Sequence, residues 1–242
     1  MTTTVPAVDQ DPFARTASTR RVGVALAMLV APWFIVVAET VHAIVSPEGA
    51  DDLDPAVSLA MTADHPTLTA WGGLAGMLGA LLLVPAVLGI MRLVRTGAAR
   101  LGLVGGVLTA AGYVAYFAFL FHGVGIEQAM VSVGGSMRQN VAILDEFMTQ
   151  PWTVWVGPLF VLGNIVGTFL LGLALVRSRA AGWMAGFGLI AWPVLHVVSF
   201  NPLFEMAGAT LQAIGFVLAA TALLRAGRPA GTAAEPYELL RK

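Results

Sequence analysis

Three long apolar stretches each begin just after an arginine and end at a histidine, and this spacing constrains the fold most strongly. The pairs are Arg21 and His42, Arg100 and His122, and Arg179 and His196, which lie 17 to 22 residues apart. At about 1.5 Å rise per residue, a helix of this length covers roughly 26–33 Å, close to the hydrocarbon thickness of a bilayer. Each stretch therefore predicts a membrane-spanning helix with a positive charge at one end and an imidazole at the other.

The composition agrees with a chain that is solvated by lipid. Of its 242 residues, 57% are hydrophobic and 11% are charged, whereas soluble proteins carry about 25% charged residues. The net charge of −1 gives no indication of nucleic-acid binding. The absence of cysteine excludes disulfides, thiolate metal ligands, iron–sulfur clusters and cysteine nucleophiles. Because the only lysine is Lys242 in the C-terminal tail, a Schiff base inside the membrane is excluded too.

We expect six transmembrane helices in an all-α integral membrane protein. The predicted spans are residues 22–45, 68–94, 101–126, 152–176, 180–200 and 207–224, each near the roughly 17–25 residues that a spanning helix needs. They make one transmembrane domain over residues 21–226. The tails at 1–20 and 227–242 are rich in Thr, Ala, Pro and Gly and are predicted to be disordered. Arg20 and Arg21 before an apolar run also fit a signal peptide, but the run is longer than a signal needs.

The distribution of basic residues predicts the orientation. Arginines precede the first span, lie between spans two and three and between spans four and five, and follow the sixth span. The opposite loops contain a single basic residue, Arg138. Positively charged loops stay in the cytoplasm, so we expect a multi-pass protein of the cell membrane with both termini inside.

The spans form three helix-hairpin repeats. The separation of Trp71 from Gly79 recurs in Trp155 and Gly163, and the Arg–span–His pattern recurs in the odd-numbered spans. Two repeats also carry a segment that predicts a short helix, at residues 54–66 and 138–151; in the first, Asp54 is a plausible N-cap and Pro55 the first helical residue.

Small residues and prolines mark where the helices are expected to touch and bend. Glycines spaced four residues apart favour close helix contact; these pairs are Gly72 and Gly76, Gly102 and Gly106, Gly163 and Gly167, and Gly182 and Gly186. Pro85, Pro158 and Pro193 lie inside spans and are expected to kink them.

All four histidines, His42, His65, His122 and His196, are predicted to lie at the outer side. Glu39 is the one acid well inside a span and lies three residues before His42, on the same face of the helix. An ionisable residue at that depth suggests a functional site. If the side chains converge, Glu39, His42, His122 and His196 could bind a transition metal, and two of the four histidines could ligate haem. The alternative is that the histidines are interfacial residues inherited through the repeat.

Other polar and aromatic residues have simpler interpretations. Asn164 and Gln212 lie inside spans four and six and are expected to hydrogen-bond between helices. Tyr113 and Tyr116 could reach the same interior. The six tryptophans are expected to anchor span ends at the interfaces, although Trp71, Trp155 and Trp192 could instead line an outer pocket.

Three functions follow from these features. The first is a haem- or metal-binding protein, with a redox role, built on the outer histidines. The second is a small-solute transporter, although the spans supply few polar residues for an ion path. The third is a non-catalytic membrane subunit or scaffold, with a membrane protein partner or a second copy of the chain. Enzymatic activity would require a cofactor or metal, because no conventional nucleophile motif is present.

Overall fold

The computed structural model describes residues 12–47, 54–198 and 201–226, and within these ranges it contains helices and no strands. In chain order the helices are α1 Pro12–Val45, α2 Pro55–Asp64, α3 Pro66–Val94, α4 Ala99–Val133, α5 Met137–Met148, α6 Pro151–Val161, a π-helical segment Leu162–Gly167, α7 Thr168–Ser178, α8 Trp183–Val198 and α9 Pro202–Arg225.

Five helical segments are long and apolar enough to cross a membrane. They are Ser18–Val45, Pro66–Val94, Ala99–Val133, Thr153–Ser178 and Pro202–Arg225. The α8 helix, predicted as the fifth of six spans, is apolar but only 16 residues long. Many large apolar side chains on these helices face outward, as expected where lipid replaces water. The apolar helices indicate a multi-pass protein in a lipid bilayer.

The long helices pack as a closed ring in chain order. The α1 helix packs on α3, α3 on α4, α4 on the α6–π–α7 segment, α7 on α8, α8 on α9, and α9 back on α1. The centre is filled by small and branched apolar residues, including Leu83, Val87, Ile90, Leu171 and Phe216, all of them fully buried. Each helix therefore presents one side to the centre of the ring and another to its surroundings.

The two ends of the ring differ in charge. One end, which we call the arginine end, carries the turns at residues 95–98 and 179–182, with Arg92, Arg95, Arg177 and Arg179 at or beside them. The other end, the histidine end, carries α2 and α5. The α1 helix begins at Pro12 at the arginine end, so the described part of the predicted N-terminal tail is helical. Extending an existing helix by one residue costs far less than nucleating a new one, which explains this extension. Residues 1–11 and 227–242 lie outside the described residues.

The two predicted short helices are present at the histidine end. Asp54 caps α2, with its Oδ1 accepting a hydrogen bond from the Ala56 N–H at 2.8 Å, and Pro55 is the first helical residue. Ser136 caps α5 in the same way, accepting from the Gln139 N–H at 3.2 Å. The α2 and α5 helices contact each other, and they add a layer on this end of the ring.

The α2 helix is attached to α4 through a carboxylate. Glu127 Oε1 accepts a hydrogen bond from Ser58 Oγ at 2.5 Å, and its Oε2 accepts one from Thr62 Oγ1 at 3.0 Å. Beside it, Gln128 Nε2 donates to Thr69 Oγ1 at 2.7 Å and to the Pro66 carbonyl oxygen at 3.0 Å. These contacts join the start of α3 and the whole of α2 to the part of α4 that extends beyond the ring.

Candidate functional site

The first two histidines lie apart from the ring centre. His42, near the end of α1, is within hydrogen-bond distance of Ser46 Oγ, at 3.2 Å from Nε2 and 3.4 Å from Nδ1. His65 is the junction between α2 and α3, where its N–H donates to the Met61 carbonyl and its carbonyl accepts from the Thr69 N–H. Its side chain is exposed and makes no capping hydrogen bond. The backbone of His65 therefore ends one helix and begins the next.

His122 lies on the outer surface of α4 among aromatic rings. Its ring is edge-on to Phe121 at 5.6 Å between centroids and lies 6.2 Å from Phe147 of α5. It borders an open groove of about 470 Å³ between α3 and α4, lined mainly by apolar side chains such as Met77 and Val124. His122 thus faces the surroundings of the bundle and not its centre.

His196 lies beside a carboxylate from a neighbouring helix. On α8, its Nδ1 lies 3.0 Å from Glu205 Oε1, at the start of α9. The side chains are 26% and 16% exposed, so the pair is largely enclosed but still reachable from the histidine end. The distance is that of an ion pair, although Nδ1 is not aligned for a hydrogen bond. Trp192, one turn earlier, stacks on the imidazole with centroids 5.1 Å apart and planes at 17°.

The structure does not bring the predicted metal ligands together as a metal centre. Within the described residues, which include all four histidines and Glu39, no group of three or more His, Asp or Glu side chains could hold a metal ion. A metal shared by Glu39, His42, His122 and His196 therefore has no support from the geometry. Ligation of haem by these histidines stays a prediction.

Polar side chains from five helices instead meet around His196, and we call this group the His196 cluster. It consists of Glu39 from α1, Tyr113 from α4, Thr168 from α7, Trp192 and His196 from α8, and Glu205 and Gln212 from α9. Glu39 is close enough to act electrostatically on both Tyr113 and His196. The cluster occupies the histidine-end half of the ring.

The inner part of the cluster is a buried hydrogen bond between two helices. Gln212 Nε2 donates to Tyr113 Oη at 3.2 Å, and the two side chains are 1% and 3% exposed. The predicted interhelical role of Gln212 is therefore confirmed. Asn164, also fully enclosed, donates to the Phe160 carbonyl oxygen of its own helix at 3.3 Å. This hydrogen bond is within one spanning segment and does not join two helices.

Three buried polar atoms of the described chain have no hydrogen-bond partner, and all three belong to the His196 cluster. They are Thr168 Oγ1, Trp192 Nε1 and His196 Nδ1. Thr168 lies near the Tyr113 hydroxyl but is not aligned for a hydrogen bond with it. Buried polar atoms in native proteins nearly always have partners, because leaving one unpaired costs about 1–3 kcal/mol. Because all three atoms lie in this cluster, we take it as the candidate functional site.

A π-helical segment ends directly at the cluster. Residues Leu162–Gly167 depart from α-helical hydrogen bonding, and Thr168 follows them at once. Pro158, one turn before, lacks the N–H that a regular helix would use there. Short π segments inside helices are frequent at functional sites. Sequence inspection predicted a bend at Pro158 but gave no sign of the π segment.

Sequence inspection located part of this cluster and missed the rest. Tyr113 and Gln212 were expected inside the bundle, and Trp192 was one of three tryptophans that could line a pocket. The other two, Trp71 and Trp155, are 64% and 76% exposed and line no interior site. Thr168 was not singled out, because a threonine in a membrane helix is ordinary. Glu205 was placed outside the sixth span, whereas α9 begins at Pro202 and carries it.

Comparison with known proteins adds no further constraint on the site. No family model, curated protein or solved structure matches this chain.

Proposed function

We propose that this chain is a six-span protein of the cell membrane, built from three helix hairpins with both termini in the cytoplasm, that binds a small cation from the outer side at the His196 cluster. Binding would be the first step of small-solute transport. The supporting observation is the largely enclosed pair of His196 and Glu205, 3.0 Å apart, with Glu39 of α1 close enough to act electrostatically on His196.

The charges of the cluster favour a cation. It contains Glu39 and Glu205 but neither arginine nor lysine, so even with His196 protonated its formal charge is not positive. Enclosing a carboxylate is costly unless it is paired, and ionisable residues at membrane depth are rare outside functional sites. The aromatic faces of Trp192 and the tyrosines also attract cations.

The two ends of the ring support both the orientation and the side of binding. The arginine end carries the basic turns, which by the positive-inside rule belong to the cytoplasm. Toward that end, the described core is formed by apolar residues such as Val87, Ile90 and Leu175. Transport would therefore require a rearrangement. The π segment and Pro193 of α8, both beside the cluster, are where the helices are least regular.

The position of α8 supports its assignment as one of six membrane spans. Its 16 residues rise about 24 Å, less than the roughly 30 Å of a hydrocarbon core. It packs between α7 and α9, which both belong to segments long enough to span. A short helix in such a ring can span where neighbours and local thinning of the bilayer accommodate it.

Haem or transition-metal binding, with a redox role, is the second candidate, and one observation favours it. A metal-ligating histidine usually has its other ring nitrogen beside a carboxylate or carbonyl. His196 has Nδ1 at 3.0 Å from Glu205 Oε1, which leaves Nε2 as the nitrogen that would bind the metal.

The test is ligand binding to the purified full-length protein. We would titrate ethylammonium into it and into Glu205→Gln, with Glu146→Gln as the matched control. Glu146 lies on α5, and its carboxylate accepts a hydrogen bond from Gln150 at an exposed site. We expect Glu205→Gln to weaken binding about 10-fold to 100-fold, because a charged hydrogen bond contributes about 1.5–3 kcal/mol, and Glu146→Gln to leave it unchanged. Equal loss in both variants, or no saturable binding to the parent protein, would overturn the proposal.

An optical spectrum and metal analysis of the same preparation decide between the two candidates. Haem or stoichiometric metal that is lost in His196→Ala and retained in His65→Ala would favour the second candidate. His65 is the control because its side chain is exposed and makes no capping hydrogen bond.

A further inference from the structure

Resting on the proposed cation site, we infer that the ligand also carries a hydrogen-bond acceptor, as an amino alcohol does, and that Trp192 and Thr168 select for it. Two buried atoms without a hydrogen-bond partner carry this inference, Trp192 Nε1 and Thr168 Oγ1. The third such atom, His196 Nδ1, lies 3.0 Å from Glu205 Oε1. A bare metal ion or a simple alkylammonium could bind beside Glu205 but would give the indole N–H nothing to donate to.

Trp192 decides the chemistry, because an indole N–H can donate a hydrogen bond but cannot accept one. The residue is 6% exposed, so water at the surface does not reach it freely. Its ring is stacked on His196, which lies 3.0 Å from Glu205. The unpartnered donor is therefore next to the charged pair, where the acceptor group of a bound cation would lie.

Thr168 provides the complementary group from α7, the neighbour of α8 in the ring. Its hydroxyl is fully buried and can both donate and accept. It lies near the Tyr113 hydroxyl, which already accepts from Gln212. A ligand hydroxyl could accept from Trp192 and donate to Thr168, whereas a carbonyl could only accept. An alcohol therefore matches the pair of residues better than a carbonyl does.

The α9 helix packs closely against Trp192. Glu205, Gly208 and Gln212 are three and four residues apart and share one side of the helix. A methyl group at Gly208 would approach Trp192 Cα to 3.0 Å and Cδ1, the ring carbon bonded to Nε1, to 3.4 Å. The glycine thus lets the indole lie directly against α9, between the charged residue and the buried amide.

The experiment compares two probes that differ by one hydroxyl, ethanolammonium and ethylammonium, on the detergent-purified full-length protein. We expect ethanolammonium to bind about threefold to tenfold more tightly, the usual net value of one hydrogen bond. Trp192→Phe keeps an aromatic ring without the N–H, and Thr168→Val keeps the shape without the hydroxyl. Each variant should reduce the preference for ethanolammonium over ethylammonium. The readout is the ratio of the two affinities, because both residues belong to the proposed site and the affinity for either probe alone can change.

Two further variants test whether the change in preference comes from the loss of the Thr168 hydroxyl itself. Thr168→Ser retains the hydroxyl and should retain the preference. Thr210→Val is the matched control, because Thr210 Oγ1 donates only to the Met206 carbonyl oxygen of its own helix at 2.8 Å. If the parent protein binds both probes equally and Glu205→Gln weakens both, the cation site stands and the selection inference fails, with bound water alone satisfying the three atoms. If neither probe binds, both proposals fail.

Discussion

Gly163 of the π segment and Gly112 of α4 meet backbone to backbone. A methyl group added to Gly163 would lie 2.4 Å from Gly112 Cα, and one added to Gly112 would lie 2.7 Å from the Asn164 nitrogen. No flexible side chain stands between the two helices at this point, so neither residue can accept a Cβ without moving a helix. This contact supports the α6–π–α7 segment directly before Thr168 of the His196 cluster.

Gly163→Ala should therefore destabilise the protein. Overpacking a tight contact usually costs about 1–3 kcal/mol, and here the new methyl group would meet only backbone atoms. Gly157→Ala is a matched control, because Gly157 lies in the same spanning segment and a Cβ there meets nothing within 4 Å. The measurement is the thermal unfolding midpoint in detergent. Equal midpoints for the two variants would mean that the helices are not in this close contact.

Tyr113→Phe should be destabilising because it leaves the buried Gln212 amide without its acceptor. The cost of a buried donor without a partner is about 1–3 kcal/mol, whereas removing both partners can be nearly neutral. Tyr113→Phe combined with Gln212→Leu should accordingly recover much of the loss. The measurement is a double-mutant cycle on the free energies of unfolding of the parent protein, the two single variants and the double variant. Strictly additive losses would show that the 3.2 Å contact contributes no coupling.

Glu127→Ala should release α2 while leaving the ring intact. Its carboxylate accepts hydrogen bonds from Ser58 and Thr62 of α2, and hydrogen bonds to a charged group contribute about 1.5–3 kcal/mol. Amide hydrogen exchange over residues 55–64 should accelerate, and exchange in the buried part of α3 should not change. Asp145→Ala on exposed α5 is the control. Unchanged exchange in α2 would show that buried Leu59 holds the helix without the carboxylate.

The absence of cysteine makes the proposed orientation directly testable. Thr96→Cys places one exposed thiol at the arginine end, and Ser132→Cys places one at the histidine end. With a membrane-impermeant maleimide added to intact cells, we expect labelling of Ser132→Cys only. Permeabilised cells should label both variants. The reverse pattern in intact cells would invert the orientation and move the His196 cluster to the cytoplasmic side.

Much of the local structure could be predicted from the sequence, because it depends on short-range patterns. An Asp-Pro pair before an apolar pattern favours a helix start, because Asp can cap the helix and Pro fits its first position. The α2 helix begins in this way at Asp54 and Pro55. The pairing of Gly163 and Gly167 indicated close contact, and both approach the α4 backbone. Gly182 and Gly186 have the same spacing, but Gly182 makes no close helix contact, since a Cβ there would meet open space. Spacing shows where a close approach is allowed, and the neighbouring helix determines whether it occurs.

The sequence by itself determined that this chain would form apolar helices suited to a bilayer, and which of their ends carry arginine or histidine. These are consequences of hydropathy, helical rise and capping, all of which act within one segment. Only the tertiary structure decided which side chain lies beside Glu205. His42 and His122 end their spans in the same sequence pattern as His196, but it is His196 that lies 3.0 Å from Glu205. That pairing depends on the rotation of α8 and α9 about their axes, which is set by contacts of the whole ring.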